Sequence, residues 1–152
     1  MDSDEGLQLT PKLIGGLYTE AMLLADEARS YFDSAGREER DALDPFARVG
    51  FSCESLKVTT RLMHVIAWLL TQRAVESGEL SRAQAAAPSR RLGEGPESDE
   101  ALLPRLPEAA RALIEASRDL FARIRRLDEH GAAPEPAPSP ARSLLNRLER
   151  SF

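Results

Sequence analysis

The strongest constraint on this chain is a line of apolar and small residues spaced alternately three and four apart. Phe46, Val49, Cys53, Leu56, Thr60, Met63, Ala67, Leu70 and Ala74 lie along one side of a helix. A second line runs beside it through Phe51, Val58, Leu62, Val65 and Leu69. A helix with two apolar lines needs cover on more than one side. The segment from Pro45 to about residue 77 is therefore expected to be the central rod of a helical bundle. Asp44-Pro45 supplies a capping carboxylate followed by proline at the first helical position, and Gly78 closes the rod. At 1.5 Å per residue the rod is about 48 Å long, a length that extends past partner helices or joins an oligomer interface.

Two further helices read from the same signals. Thr10-Pro11 opens the first, whose apolar line is Ile14, Leu17, Ala21, Leu24, Ala28, Tyr31 and Ala35, with Gly36 expected as its C-cap. Arg37 to Leu43 is a charged connection with room for a turn of helix. Ser81 with Gln84 three residues on fits a capping box, so a short helix is expected from Ser81 to Ala87. Pro88 to Asp99 reads as a mobile loop. Leu106-Pro107-Glu108 opens the last helix, with Leu106, Ala110, Leu113, Ser117, Leu120, Ile124 and Leu127 inward, Ile114 and Phe121 widening that face, and Gly131 at its end. The expected fold is all-α. It is a three-helix bundle over residues 10–131, with helices near 11–35, 45–77 and 107–130, after a flexible acidic N-terminus over residues 1–9.

Residues 132–152 differ in kind. Ala132 to Pro140 alternates proline with small residues and favours an extended, polyproline-like state. Beyond it Leu144, Leu145, Leu148 and Phe152 share one side of a short helix. That segment is too short to hold a helix alone in water. The expectation is a disordered tail carrying an amphipathic docking motif, which either folds back on the bundle or lies in a partner's groove.

Composition narrows the function. A net charge of -5 argues against nucleic-acid binding through a broad basic surface. The longest apolar run, about nine residues, is far below a membrane span. The lone cysteine, Cys53, excludes a disulfide within the chain and is expected to be a small core residue. The acidic start lacks the basic region of a signal peptide, and a cytoplasmic setting follows. Two distant histidines and one cysteine cannot supply a tetrahedral metal set, and no phosphate-binding loop is present, so no cofactor is expected.

Three groups carry possible chemistry. His64 could accept a phosphoryl group, which requires an exposed ring and a nearby cation; its apolar neighbours make it instead an expected buried or partly buried structural histidine. Glu54 and Arg61, two turns apart, could grip an acidic substrate in a small helical enzyme. The plainer expectation is that they pair with the first or last helix or border an interface. The run Arg123-Ile124-Arg125-Arg126 reads as a solvated helix face.

Three stretches carry a family resemblance: Leu17 to Asp33 (LYTEAMLLADEARSYFD), Arg48 to Ser81 (RVGFSCESLKVTTRLMHVIAWLLTQRAVESGELS) and Ser117 to Glu129 (SRDLFARIRRLDE). With the ending LLNRLERSF, they resemble the RcdA family, the alphaproteobacterial regulators of CtrA degradation. The resemblance implies a dimeric three-helix bundle with a disordered tail and no catalysis. It implies an adaptor for the ClpXP protease, acting once that protease is primed by a response-regulator-like adaptor. Cargo would be transcription regulators, with CtrA delivered through a further cyclic-di-GMP-binding adaptor. It also implies recruitment to a cell pole. On this reading Leu144, Leu145, Leu148 and Phe152 touch the primed protease.

Overall fold

The computed structural model describes residues 9–132 together with Arg147, Leu148, Arg150 and Ser151. The expectations for residues 1–8, for the proline-rich linker after Ala132, and for Leu144, Leu145 and Phe152 lie outside the described residues. The architecture is all-α, as the periodicity predicts. Helix α1 spans Pro11–Ser30, α2 Gly36–Asp41, α3 Pro45–Glu76, α4 Arg82–Ala85 and α5 Glu108–Ala132. Helices α1, α3 and α5 are the three major rods, and α3 packs on both of the others.

The start signals act as read. The Thr10 hydroxyl accepts from the Leu13 N–H at 3.1 Å, and an Asp44 carboxylate oxygen accepts from the Ala47 N–H at 3.0 Å. Ser81 and Gln84 form the reciprocal capping box that opens α4. Gly78 takes φ +81°, the left-handed conformation that ends α3.

The first helix departs from expectation at its end. Gly36 does not cap it; Tyr31–Ala35 forms a π turn and the chain continues directly into α2. A π turn carries an extra residue, which rotates all that follows by one position. The inward site therefore moves from Ala35, which is exposed, to Gly36, which is buried. A Cβ at Gly36 would lie 2.7 Å from the Tyr31 carbonyl oxygen, so the site takes no side chain without a shift. Tyr31, Phe32 and Phe51 meet beside this turn with ring centroids 5.1 to 6.3 Å apart, joining α1 to α3.

The core is built from Ile14, Leu17 and Ala21 of α1, Phe51, Val58, Leu62, Val65 and Leu69 of α3, and Leu113, Ile114, Leu120 and Ile124 of α5. Each fully buried aliphatic side chain contributes about 1.5–3 kcal/mol over exposure. Residues 92–106 are not a free loop. Leu92, Leu102, Leu103 and Leu106 are buried in the same core, so the segment is a strap laid along the bundle.

Candidate functional site

Of the two apolar lines on α3, only one is inside. Phe51, Val58, Leu62, Val65 and Leu69 are buried. The longer line faces out: Phe46 is 69% exposed, Val49 65%, Leu56 67%, Met63 64% and Leu70 48%. Cys53 lies on that outer line and is exposed, which corrects the expectation of a core cysteine. The packing of α1 and α5 on α3 leaves this face uncovered.

His64 is also exposed, on the flank of the same line. The expectation of a buried or partly buried histidine is therefore corrected. Exposure meets one requirement of a phosphoryl acceptor, but the cations on its helix are committed elsewhere. Arg61 is buried and bound to the strap, and Lys57 pairs with Glu54 at 2.7 Å.

Glu54 and Arg61 are 1% and 2% exposed, so neither belongs to a surface strip. Apart from Lys57, their partners lie 35 to 56 residues further along the chain. Arg61 donates to the Pro96 carbonyl at 3.0 Å, to the Ser98 hydroxyl at 2.8 Å and to the Ser117 hydroxyl of α5 at 3.3 Å. Glu54 Oε2 accepts from Lys57 and, at 3.3 Å, from the Asp99 N–H. The two charges hold the strap on the groove between α3 and α5. Burial pushes the Glu54 carboxyl up, yet the hydrogen bonds from Lys57, Ser98 and Asp99 outweigh it and leave it below the usual carboxylate range. Glu54 Oε1 has no protein partner. Burial lowers the Arg61 pKa.

A cleft of about 760 Å³ opens outside the strap, lined by Arg61, Arg91, Arg118 and Arg125 with Glu94 and Glu97. Glu54 does not line it, so the cleft lacks the Arg/Glu pair that a small helical enzyme was expected to use. Its arginines are largely engaged: Arg91 with Asp128 at 2.9 Å, Arg118 with Glu115 at 2.8 Å, and Arg125 over the Phe121 ring at 5.1 Å. Arg123 pairs with Glu20 of α1 and with Asp119, while Arg125 and Arg126 are exposed, the solvated helix face that the sequence predicts. Among the described residues no group of His, Cys, Asp or Glu side chains could hold a metal ion.

Periodicity could not reveal one polar junction. Trp68 donates its indole N–H to Asp128 at 2.9 Å, and Arg91 donates to the same carboxylate oxygen. This ties α3, the residue that leads into the strap, and α5 together beside a cavity of about 140 Å³ that Trp68, Arg91, Leu127 and Asp128 help to line. A tryptophan among apolar residues with an aspartate on the facing helix is the only sequence trace of it. Of the tail motif, Leu148 alone is described, and it is 53% exposed. Among the described residues no helix is long and apolar enough to cross a membrane.

Among the described residues the arrangement offers no assembled reactive group. Its most conspicuous feature is an apolar surface on a rod whose other side is locked. Comparison with known proteins agrees with a helical scaffold. The family model described as "Protein of unknown function (DUF1465)" matches residues 6–152. The crystal structure of RcdA from Caulobacter crescentus CB15 is similar at 32% sequence identity and a TM-score of 0.68, covering 84% of this chain and 97% of that one. No curated protein matches the chain.

Proposed function

The chain belongs to the DUF1465 family and is a relative of RcdA, and from that premise we propose that it is a non-enzymatic adaptor in regulated proteolysis. It acts as a homodimer in the cytoplasm and is recruited to a cell pole. It brings cell-cycle transcription regulators to a ClpXP protease already primed by a response-regulator-like adaptor, and it delivers CtrA through a further cyclic-di-GMP-binding adaptor. The observation that supports this reading is likeness to RcdA over 84% of the chain at 32% identity. The absence of a shared Glu54/Arg61 cavity favours holding proteins over turning over a small molecule.

The bundle surface holds cargo, and the terminal motif of Leu144, Leu145, Leu148 and Phe152 touches the primed protease. A linker of the composition of residues 132–140 would make that contact intramolecular, with an effective concentration of about millimolar, so a weak patch is enough. Degradation of a candidate cargo by primed ClpXP tests both parts. The full chain is expected to accelerate it. Deleting Arg142 to Phe152 should leave helicity and cargo binding intact while delivery stops. A truncated chain that still delivers would sink the division of labour, and a full chain that never accelerates degradation would sink the adaptor reading.

A further inference from the structure

We propose that the cavity at the end of the bundle, beside Trp68, is a seat for Phe152 of the chain's own terminal motif. The motif is then stowed on the bundle in one state and free to dock elsewhere in another. The seat rests on neither the protease nor the cargo of the reading above; only the use made of a released motif rests on that reading.

The cavity selects its occupant by size and lining. Its volume of about 140 Å³ is nearly that of an apolar cavity of about 150 Å³ that takes up one benzene molecule. Leu9, Trp68, Val75, Ala85, Ala86 and Leu127 supply apolar walls. On the polar side Arg91 pairs with Asp128 at 2.9 Å, and Asp128 also accepts from Trp68, so these groups are satisfied without a ligand. A single apolar ring is the group that fits such a space. Of the residues outside the described ones, Phe152 is the one aromatic.

Position and reach agree. Gly131, in the cavity wall, stands one residue before the end of α5, so the chain sets out toward the motif from beside the seat. The eight residues from Ala133 to Pro140, if extended, reach about 25 Å. The eleven from Arg142 to Phe152, as a helix, return about 16 Å. Folded back on each other, these lengths bring Phe152 to about 9 Å from where the chain left α5, within one helix width. A bend in the linker closes the remainder. Leu148 is 53% exposed and does not line the cavity, so the seated state is the one an experiment has to reveal. Burial of one ring is worth roughly 10- to 100-fold in an equilibrium. That is enough to populate the seat, and little enough for a partner's groove to win the motif from it.

Trp68 is the chain's one tryptophan, 3% exposed and part of the cavity wall, so its fluorescence reads the seat directly. Phe152→Ala in the otherwise full chain is expected to shift the emission to the red, because water replaces the ring beside the indole. Benzene should bind Phe152→Ala at least about 10-fold more tightly than the unaltered chain, where Phe152 competes for the space. In an Ala85→Phe background, which plugs the cavity from α4, Phe152→Ala should change neither quantity. Each effect should be equal at nanomolar and micromolar chain, as an intramolecular contact requires. Emission and benzene affinity both untouched by Phe152→Ala overturn the proposal. So does an effect that survives Ala85→Phe, or one that grows with concentration and thereby puts the ring of another copy in the cavity. If removing residues 1–8 shifts the emission while Phe152→Ala does not, the segment before Leu9 is the occupant and the proposal fails. Protease and cargo are absent from every arm, so this test and the degradation assay can fail separately.

Discussion

The two sides of α3 are made of similar material and meet different fates. The inner side carries Phe51, Val58, Leu62, Val65 and Leu69, and also two charges, Glu54 and Arg61. The outer side carries Phe46, Val49, Leu56, Met63 and Leu70 and no charge at all on its central line. By hydrophobicity alone the outer side has the better claim to the core. The inner side wins because its charges find partners: the strap gives Arg61 two acceptors and gives Glu54 a backbone donor. Apolar character decides that a face is covered; polar geometry decides which neighbour covers it. A buried charge is tolerated only where its hydrogen bonds are replaced.

The widest gap between the sides should appear in protomer stability. Leu69→Ala empties a fully buried site and is expected to cost about 3 kcal/mol in chemical denaturation. Leu56→Ala, read at a dilution where the chain is monomeric, should stay within about 0.5 kcal/mol. Equal costs would erase the distinction between the faces.

A sharper question is whether the inner charges hold the strap. Arg61→Met leaves the Pro96 carbonyl and the hydroxyls of Ser98 and Ser117 short of a donor, an expected loss of about 2 kcal/mol. Hydrogen exchange should quicken across residues 93–102 and not across α1. By contrast Arg29→Met, which breaks an exposed pair with Asp26, should change stability by less than about 0.5 kcal/mol. If exchange on the strap is unmoved, its apolar anchors Leu92 and Leu102 suffice without the charge.

The smallest effect is one of pH. The folded protein holds the Glu54 carboxyl below its ordinary 4.5, so the stabilisation it supplies is fully present above that value. It is lost as pH falls through the lower, folded value. Denaturation midpoints followed from pH 7 to pH 3 should drop in acid, and Glu54→Gln should flatten part of the drop. The outer face has no carboxylate on its central line, so Leu56→Ala should leave the acid limb unchanged. An identical acid limb in Glu54→Gln would assign the whole pH dependence to other carboxylates, such as the depressed Asp44.

Much of the fold was legible from short-range chemistry. Thr10-Pro11, Asp44-Pro45 and Ser81 with Gln84 mark helix starts because capping is settled within three residues of chain. The inward line of α5 was read nearly complete, since that helix has one apolar face and a polar remainder. The π turn at Tyr31 was not legible: its extra residue leaves the composition of the line unchanged and shifts only the phase. The strap was not legible either, because Arg61 meets Pro96 and Ser98 across more than 30 residues of intervening chain. The candidate site suffered most. Helical spacing points Cys53 inward and apolar neighbours do the same for His64, but neither signal defines what stands opposite.

The sequence by itself determined that three rods would form, where each would begin, and that the central one would carry two lines needing cover. Only the tertiary structure decided which line its own chain would cover. Helical period is a local property of backbone geometry, whereas burial depends on the surface brought up against a side chain, and for α3 that surface comes from α1, α5 and a strap far away in sequence.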